Sequence, residues 1–391
     1  MRSKVSHKIT DRDVQAIAES RLSQALQLKG RGWKCKPQLI WKVVLLAAAR
    51  AISLFAACRD LADAPCDNSV RNVLGASLPA RPRTLEQRLE VALCQDLPKQ
   101  VMRRAWELAI DFHLIPYHGE PCRSPRELYH SKPKSGTTKF HCYATASIVV
   151  QGFRYTLAVT YVLGKEPLTK VLTLLLDRVA ARGIRIKRLL LDRQFCTVAV
   201  IELLQSRGLP FLMPMVTRGR KPKPGKPATG VKAFRRRHAG RYAFTWKVGK
   251  QPAVKFKIVV AYKTHLHPRT GKRCNKKYLY AAWKVGGSPS CIREEYRRRF
   301  AIESSYRQMR EARIRTCTTD PVLRLFFVLV SLILRNIWVW LHYRYFTENR
   351  NSPALTMHLE RLRYKQMLTW IADAIVRLLH DGTPYEIEIT T

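Results

Sequence analysis

The chain has 391 residues, 46% of them hydrophobic and 9% aromatic, a length that allows two or three domains and a composition that excludes wholesale disorder. Its 71 lysines and arginines stand against 28 acidic residues, a formal +43 that repels itself unless it meets a polyanion, of which nucleic acid is the leading candidate. An acidic membrane leaflet is the alternative, but the longest strongly apolar run, Leu325 to Leu334, is half of the ~20 residues a spanning helix needs, so no membrane partner is expected.

Met1-Arg2-Ser3-Lys4 does not open a secretory signal, and ten scattered cysteines contain no CxxC pair. The expectation is a cytoplasmic, nucleoid-associated protein with reduced thiols. Residues 1–104 read as helical, either a DNA-binding bundle or a helical support domain. Pro37 to Cys58 is apolar nearly all round, as in a buried helix. After the break at Pro79 and Pro82, Thr84-Leu85-Glu86-Gln87 has capping-box form, and Leu85, Leu89 and Leu93 follow at helical spacing.

From Trp106 the period changes. Trp106 to Pro116 and Cys142 to Val150 read as strands, Gln151-Gly152 as a hairpin turn, and Phe153 to Leu163 as an alternating strand. Pro167 to Ala181 predicts a helix, Ile184 to Leu191 a strand, Cys196 to Arg207 a helix and Phe211 to Met215 a strand. This is the first part, 105–215, of a mixed α/β sheet whose first and fourth strands can be neighbours. Leu203 to Arg293 then holds no Asp or Glu but 23 Lys and Arg, more than half of the net charge. Alternation within it (Tyr242 to Val248, Ala253 to Tyr262, Tyr278 to Trp283) predicts a basic β-rich insertion, 216–288. Helices are expected over Arg293 to Ile314 and Pro321 to Tyr345, completing the core at 289–346, and over Pro353 to His380 in a C-terminal helical segment, 347–391.

Three carboxylates carry the chemistry. Asp111 interrupts an apolar strand, where an ionised carboxylate costs several kcal/mol unless paired or metal-bound, and Asp192 ends another at the carboxyl edge of the sheet. The acid-free stretch leaves Glu294, Glu295 and Glu303 for the third place. At about 100° per residue, Tyr296, Arg299, Glu303 and Arg310 share one arc of about 60°, with Arg307 alongside; Glu294 and Glu295 fall off it. Asp111, Asp192 and Glu303 together suit Mg²⁺ or Mn²⁺, and two such ions about 4 Å apart can activate a water or 3′-hydroxyl against a phosphodiester.

Ala109-Ile110-Asp111, Leu191-Asp192-Arg193-Gln194-Phe195 and Tyr296-x-x-Arg299-x-x-x-Glu303-x6-Arg310 resemble the DDE transposases of insertion sequences. They are most similar to the group with a Y-R-E-K signature and a strand-rich insertion before the last acidic residue. Phe300 to Arg307 and Leu334-Arg335-Asn336-Ile337-Trp338 extend the likeness, with Arg310 standing where the signature has Lys. The resemblance implies an RNase H-like catalytic core that cuts DNA at terminal inverted repeats and joins the ends to target DNA, working as a homodimer on double-stranded DNA. It places Tyr296 and Arg299 on a phosphate near the cut, and implies a flipped base stacked on Trp246 or Trp283. Arg193 and the triplet Arg235, Arg236 and Arg237 are expected along the DNA path. Two other readings compete: a nuclease using His265-Leu266-His267 with a tyrosine nucleophile, and a basic DNA-binding protein without catalysis.

Overall fold

The computed structural model describes residues 7–30, 32–61, 63–97, 99–150, 153–266, 269–300, 308–346, 357–378 and 386–389. A short strand, β1 (His7–Thr10), pairs antiparallel with β11 (Glu386–Ile389). Thr10 then caps α1 (Asp11–Ala25): its hydroxyl accepts from Asp13 N–H while the Asp13 carboxylate accepts from Thr10 N–H.

The apolar run from Pro37 is two helices rather than the expected one, α2 (Pro37–Ala49) and α3 (Leu54–Arg59). Ala51 adopts φ 52°, in the left-handed region, and Ser53 accepts from Ala56 N–H to start the second helix, so the run turns a corner. After α4 (Asp67–Ser77), α5 (Pro82–Leu93) begins two residues ahead of the expected capping box, which does not form. Pro82, with its φ already suited to a first turn, sets that start. Leu85, Leu89 and Leu93 face the core as their spacing requires.

Past the short α6 (Lys99–Arg103) stand β2 (Trp106–Pro116), β3 (Tyr129–Lys134), β4 (Thr137–Val150) and β5 (Phe153–Val162). Then come α7 (Leu168–Ala180), β6 (Ile186–Leu191), α8 (Val198–Ser206) and β7 (Phe211–Pro214). The basic stretch supplies β8 (Gly240–Trp246), β9 (Val254–Leu266) and β10 (Arg273–Trp283). All except β1 and β11 belong to one nine-stranded sheet, in the order β3-β4-β2-β6-β7-β10-β9-β8, with β5 also on β4. The hairpin turn residues Gln151 and Gly152 lie outside the described residues, although Val150 pairs with Phe153 on either side of them. β2 lies parallel to β6, and β6 to β7, the adjacency expected of the first and fourth sequence strands. β10 pairs antiparallel with β7, so the basic strands extend this sheet.

Side-chain alternation divides β2 between two packing faces. Leu108, Ile110 and Phe112 join Leu189 and Leu191 in the main core, while Ala109 joins Leu190, Leu212, Tyr280, Ile292 and Tyr296 in a second cluster. The latter contains residues of α9 (Pro289–Arg297), which begins four residues before the expected start because Ser288 caps it and Pro289 occupies its first turn.

The helix Pro321–Leu341, capped by Asp320, is long and apolar enough to cross a membrane, yet it is almost wholly buried against α2, α5 and β5. Asn336 within it is satisfied: its amide donates to Leu93 and Thr156 carbonyls and accepts from Thr156 N–H. The last helix, Tyr364–Arg377, starts well after the expected Pro353 (residues 353–356 lie outside the described residues). The Leu362 carbonyl just before it accepts from Trp338 Nε1–H and packs at 2.8 Å from His342 Nε2, which fixes that segment as non-helical. Arg377 at its end pairs with Asp11 of α1.

Candidate active site

The β2–β6 register runs through Ile110 opposite Leu191, so the next position sets Asp111 beside Asp192 on the same face. Two carboxylates placed so repel each other without a cation. Arg299 supplies one: its Nη1 lies 3.1 Å from Asp111 Oδ2 and its Nη2 3.4 Å from Asp192 Oδ1. Burial opposes the charge of Arg299, but Tyr296, Asp111 and Asp192 together outweigh it and raise the pKa.

The element carrying Arg299 is not the single long helix expected from Arg293 to Ile314. α9 ends at Arg297, a 3₁₀ turn covers Arg298–Phe300, and after the undescribed 301–307 only a short helical stretch follows before Ile314, which is buried outside any helix. Tightening to about three residues per turn alters the 100° step over Arg298–Phe300, so Arg299 does not sit at the helical angle expected for it. Tyr296 and Arg299 nonetheless reach the site by separate contacts. Tyr296 Oη donates to the Leu191 carbonyl at 3.1 Å, directly before Asp192, and its ring lies 5.1 Å from that of Tyr280. Burial, first of all, pushes its phenol pKa up.

An ion-pair chain holds α9 on the sheet. Arg188 of β6 reaches Glu107 of β2 at 2.6 Å and also pairs with Glu295. Glu294 is engaged by Arg293 and by Arg297. Both acids weighed against Glu303 are thus occupied by arginines. Glu303 and Arg307 themselves lie outside the described residues.

Asp192 opens onto a cleft of about 720 Å³ whose ionisable wall is otherwise basic or phenolic. Arg193 and Arg235 line it, together with Lys263, Lys276, Lys277, Arg293 and Arg297, which sequence reasoning did not single out. The signal for the lysines is register: Lys276 of β10 stands directly opposite Lys263 of β9, a like-charge pair that is unfavourable without an anion. Lys277 Nζ donates to the Arg235 and Arg237 carbonyls at 2.6 and 3.1 Å and ties the arginine triplet to the cleft rim.

Other expected residues stand elsewhere. Arg236 and Arg237 are exposed but do not line the cleft, and the Arg237 guanidinium lies over Tyr242. Trp246 packs on Phe256, and Trp283, stacked on Phe211, lines a separate cavity of about 520 Å³ with Arg241, Lys255, Lys257 and Lys284. Arg310 is exposed on the short helical stretch, also off the cleft wall. His265 is exposed near the end of β9, and His267 lies outside the described residues.

Among the described residues no three His, Cys, Asp or Glu side chains cluster as metal ligands. The Asp111–Asp192 pair offers only carboxylate oxygens, the donors a hard divalent cation prefers, and the guanidinium between them marks where positive charge is favoured. A family model described as a transposase DDE domain matches residues 103–337, more than half of the chain, from α6 into the Pro321–Leu341 helix. No curated protein matches the chain.

Proposed function

Since the chain belongs to the DDE transposase domain family, we propose that it cuts DNA at the ends of an insertion sequence and joins those ends to target DNA, as a homodimer acting on nucleoid DNA in the cytoplasm. The observation that carries this reading is a pair of adjacent carboxylates on the wall of an otherwise basic cleft. Three antiparallel strands followed by two parallel ones, β5-β4-β2-β6-β7, support an RNase H-like core.

Asp111 and Asp192, joined by Glu303, are the residues to hold Mg²⁺ or Mn²⁺. Such ions supply a polarised water or 3′-hydroxyl and a stabilised leaving oxygen. The remaining work falls to side chains of this protein. Arg299 presents a planar fork beside both carboxylates and can give it to non-bridging phosphate oxygens, a bidentate contact that an ammonium cannot reproduce. Tyr296 orients that turn by its bond to the Leu191 carbonyl. Arg193, Lys263 and Lys276 supply the field that draws the DNA backbone to the carboxylates.

The test is nicking of a duplex bearing the element's ends, with Mg²⁺ or Mn²⁺. Asp111→Asn, Asp192→Asn and Glu303→Gln should each lower the rate about a thousandfold, the several kcal/mol that cation charge stabilisation is worth, while binding stays near that of the unaltered protein. Full cutting by any one variant removes that residue from the catalytic set. An unaltered protein that binds the ends and nicks none of them is a DNA-binding protein only.

A further inference from the structure

We propose that a second cavity, at the far end of β2 from the Trp106 entry, is a clamp for backbone phosphates of the DNA engaged at Asp111 and Asp192, an inference that rests on the transposase reading above. The cavity measures about 600 Å³ and is lined by Tyr117, Tyr143, Arg313, Arg315, Cys317 and Arg324 among others. It shares the catalytic face of the sheet. Positions 111, 113, 115 and 117 alternate onto one side of β2 and its continuation, and their β4 partners Thr145, Tyr143 and His141 lie on that side too.

Its charge is uncompensated. Arg313 and Arg324 are half-buried, and among the described residues neither has a carboxylate within 4 Å. Glu120, the acid on the cavity rim, is exposed and pairs with Lys139. Arg324 is aimed rather than loose: its Nε donates to the Thr318 carbonyl at 2.6 Å and its guanidinium lies 4.6 Å over the Tyr117 ring. Surrounding groups register the positive field. His141 is pushed down to about 3 by burial and then by Arg324. Burial, with Arg310, also lowers the pKa of Arg313. A half-buried cation without an internal anion is costly, and a phosphodiester oxygen is the partner that a guanidinium fork fits.

Position fixes which phosphates. At about 3.3 Å per residue, Ile115 to Tyr117 lie roughly 13–20 Å from Asp111 along β2 and its continuation. At about 3.4 Å per nucleotide, that is four to six nucleotides from the bond being cut. The cavity therefore grips the same duplex and not a separate ligand.

Two measurements test the clamp. In the Asp192→Asn background, Arg313→Gln with Arg324→Gln should reduce the salt slope of binding to end-bearing duplex by about two, one for each phosphate that is no longer neutralised. In the unaltered protein, where folding is not in question, bound duplex should slow alkylation of the exposed Cys317 thiol at least about fivefold, whereas inorganic phosphate at equal phosphate concentration should not. An unchanged slope in a folded double variant, alkylation of Cys317 at the free rate with duplex bound, or equal protection by inorganic phosphate overturns the clamp while leaving the transposase reading intact. Failure of the unaltered protein to bind and cut end-bearing duplex sinks the parent reading instead, and the clamp with it.

Discussion

Arginine and lysine play opposite parts on the two sides of this molecule. Where α5 and α7 meet β5, Glu86 is wholly buried and takes Arg178 at 2.8 Å, Arg83 at 3.3 Å, Tyr161 N–H at 2.7 Å and the Thr160 hydroxyl at 2.9 Å. Glu90 takes Arg178 and Arg182 beside it, and Glu166 takes Arg83. Along β9 and β10, by contrast, Lys263 faces Lys276, and among the described residues neither meets a carboxylate within 4 Å. The first set is neutralised from within and belongs to the architecture. The second leaves its field for something outside the chain. Net charge alone conceals this distinction; pairing reveals it.

The deepest break in that comparison comes from removing the shared anion of the first region. Burial raises the Glu86 pKa, and Arg83 and Arg178 offset only part of that rise. Glu86→Ala leaves Arg178 with Glu90 alone and takes the acceptor from the Tyr161 N–H and the Thr160 hydroxyl, and it should cost about 3–5 kcal/mol, read as a lower urea midpoint. DNA affinity per folded molecule should not move. A variant as stable as the parent would show that this network contributes nothing net.

Much of the core was legible in the sequence. Trp106–Pro116 was readable to the residue because an apolar run between polar ends has few alternatives, and Asp111 stood out as an unexplained charge within it. The adjacency of β2 and β6 followed from connection rules, and with it the meeting of Asp111 and Asp192. What periodicity could not give was the end of α9. Helical and 3₁₀ turns differ by some 20° per residue, and the sequence Arg297-Arg298-Arg299 carries no capping residue to announce the change. Nor could it give the lysine wall, because the facing of Lys263 and Lys276 depends on hairpin register, or the meeting of Tyr117 with Arg324, separated by most of the catalytic region. Glu303 rests on sequence, since it lies outside the described residues.

A smaller effect sharpens the contrast by adding charge where none is compensated. His113 and His141 are buried and neutral, each with a pKa pushed from 6.5 to about 3, first by burial and then by nearby arginines. Between those values the unfolded chain binds protons that the folded chain refuses. Their contribution is therefore fully present above about pH 6.5 and declines as pH falls toward 3, by up to about 1.4 kcal/mol per pH unit for each histidine. Replacing both with Gln should flatten the decline in urea midpoint between pH 6.5 and 4.5. Parallel pH profiles for the two proteins would show that the histidines are protonated in the fold.

The smallest expected effect separates the two roles of positive charge within one variant. Lys263→Gln with Lys276→Gln removes two facing ammonium groups from the cleft wall and no ion pair. Relief of like-charge repulsion across the strands should raise stability by a few tenths of a kcal/mol. With two fewer phosphates neutralised, the salt slope of DNA binding should fall by about two, and binding should weaken on every sequence alike. The opposite signs matter, because a structural lysine would lower stability when replaced and leave the slope alone. Should the double variant melt lower and bind with an unchanged slope, β9 and β10 carry architectural charge like that around Glu86, and the cleft's basic wall loses its part in DNA binding.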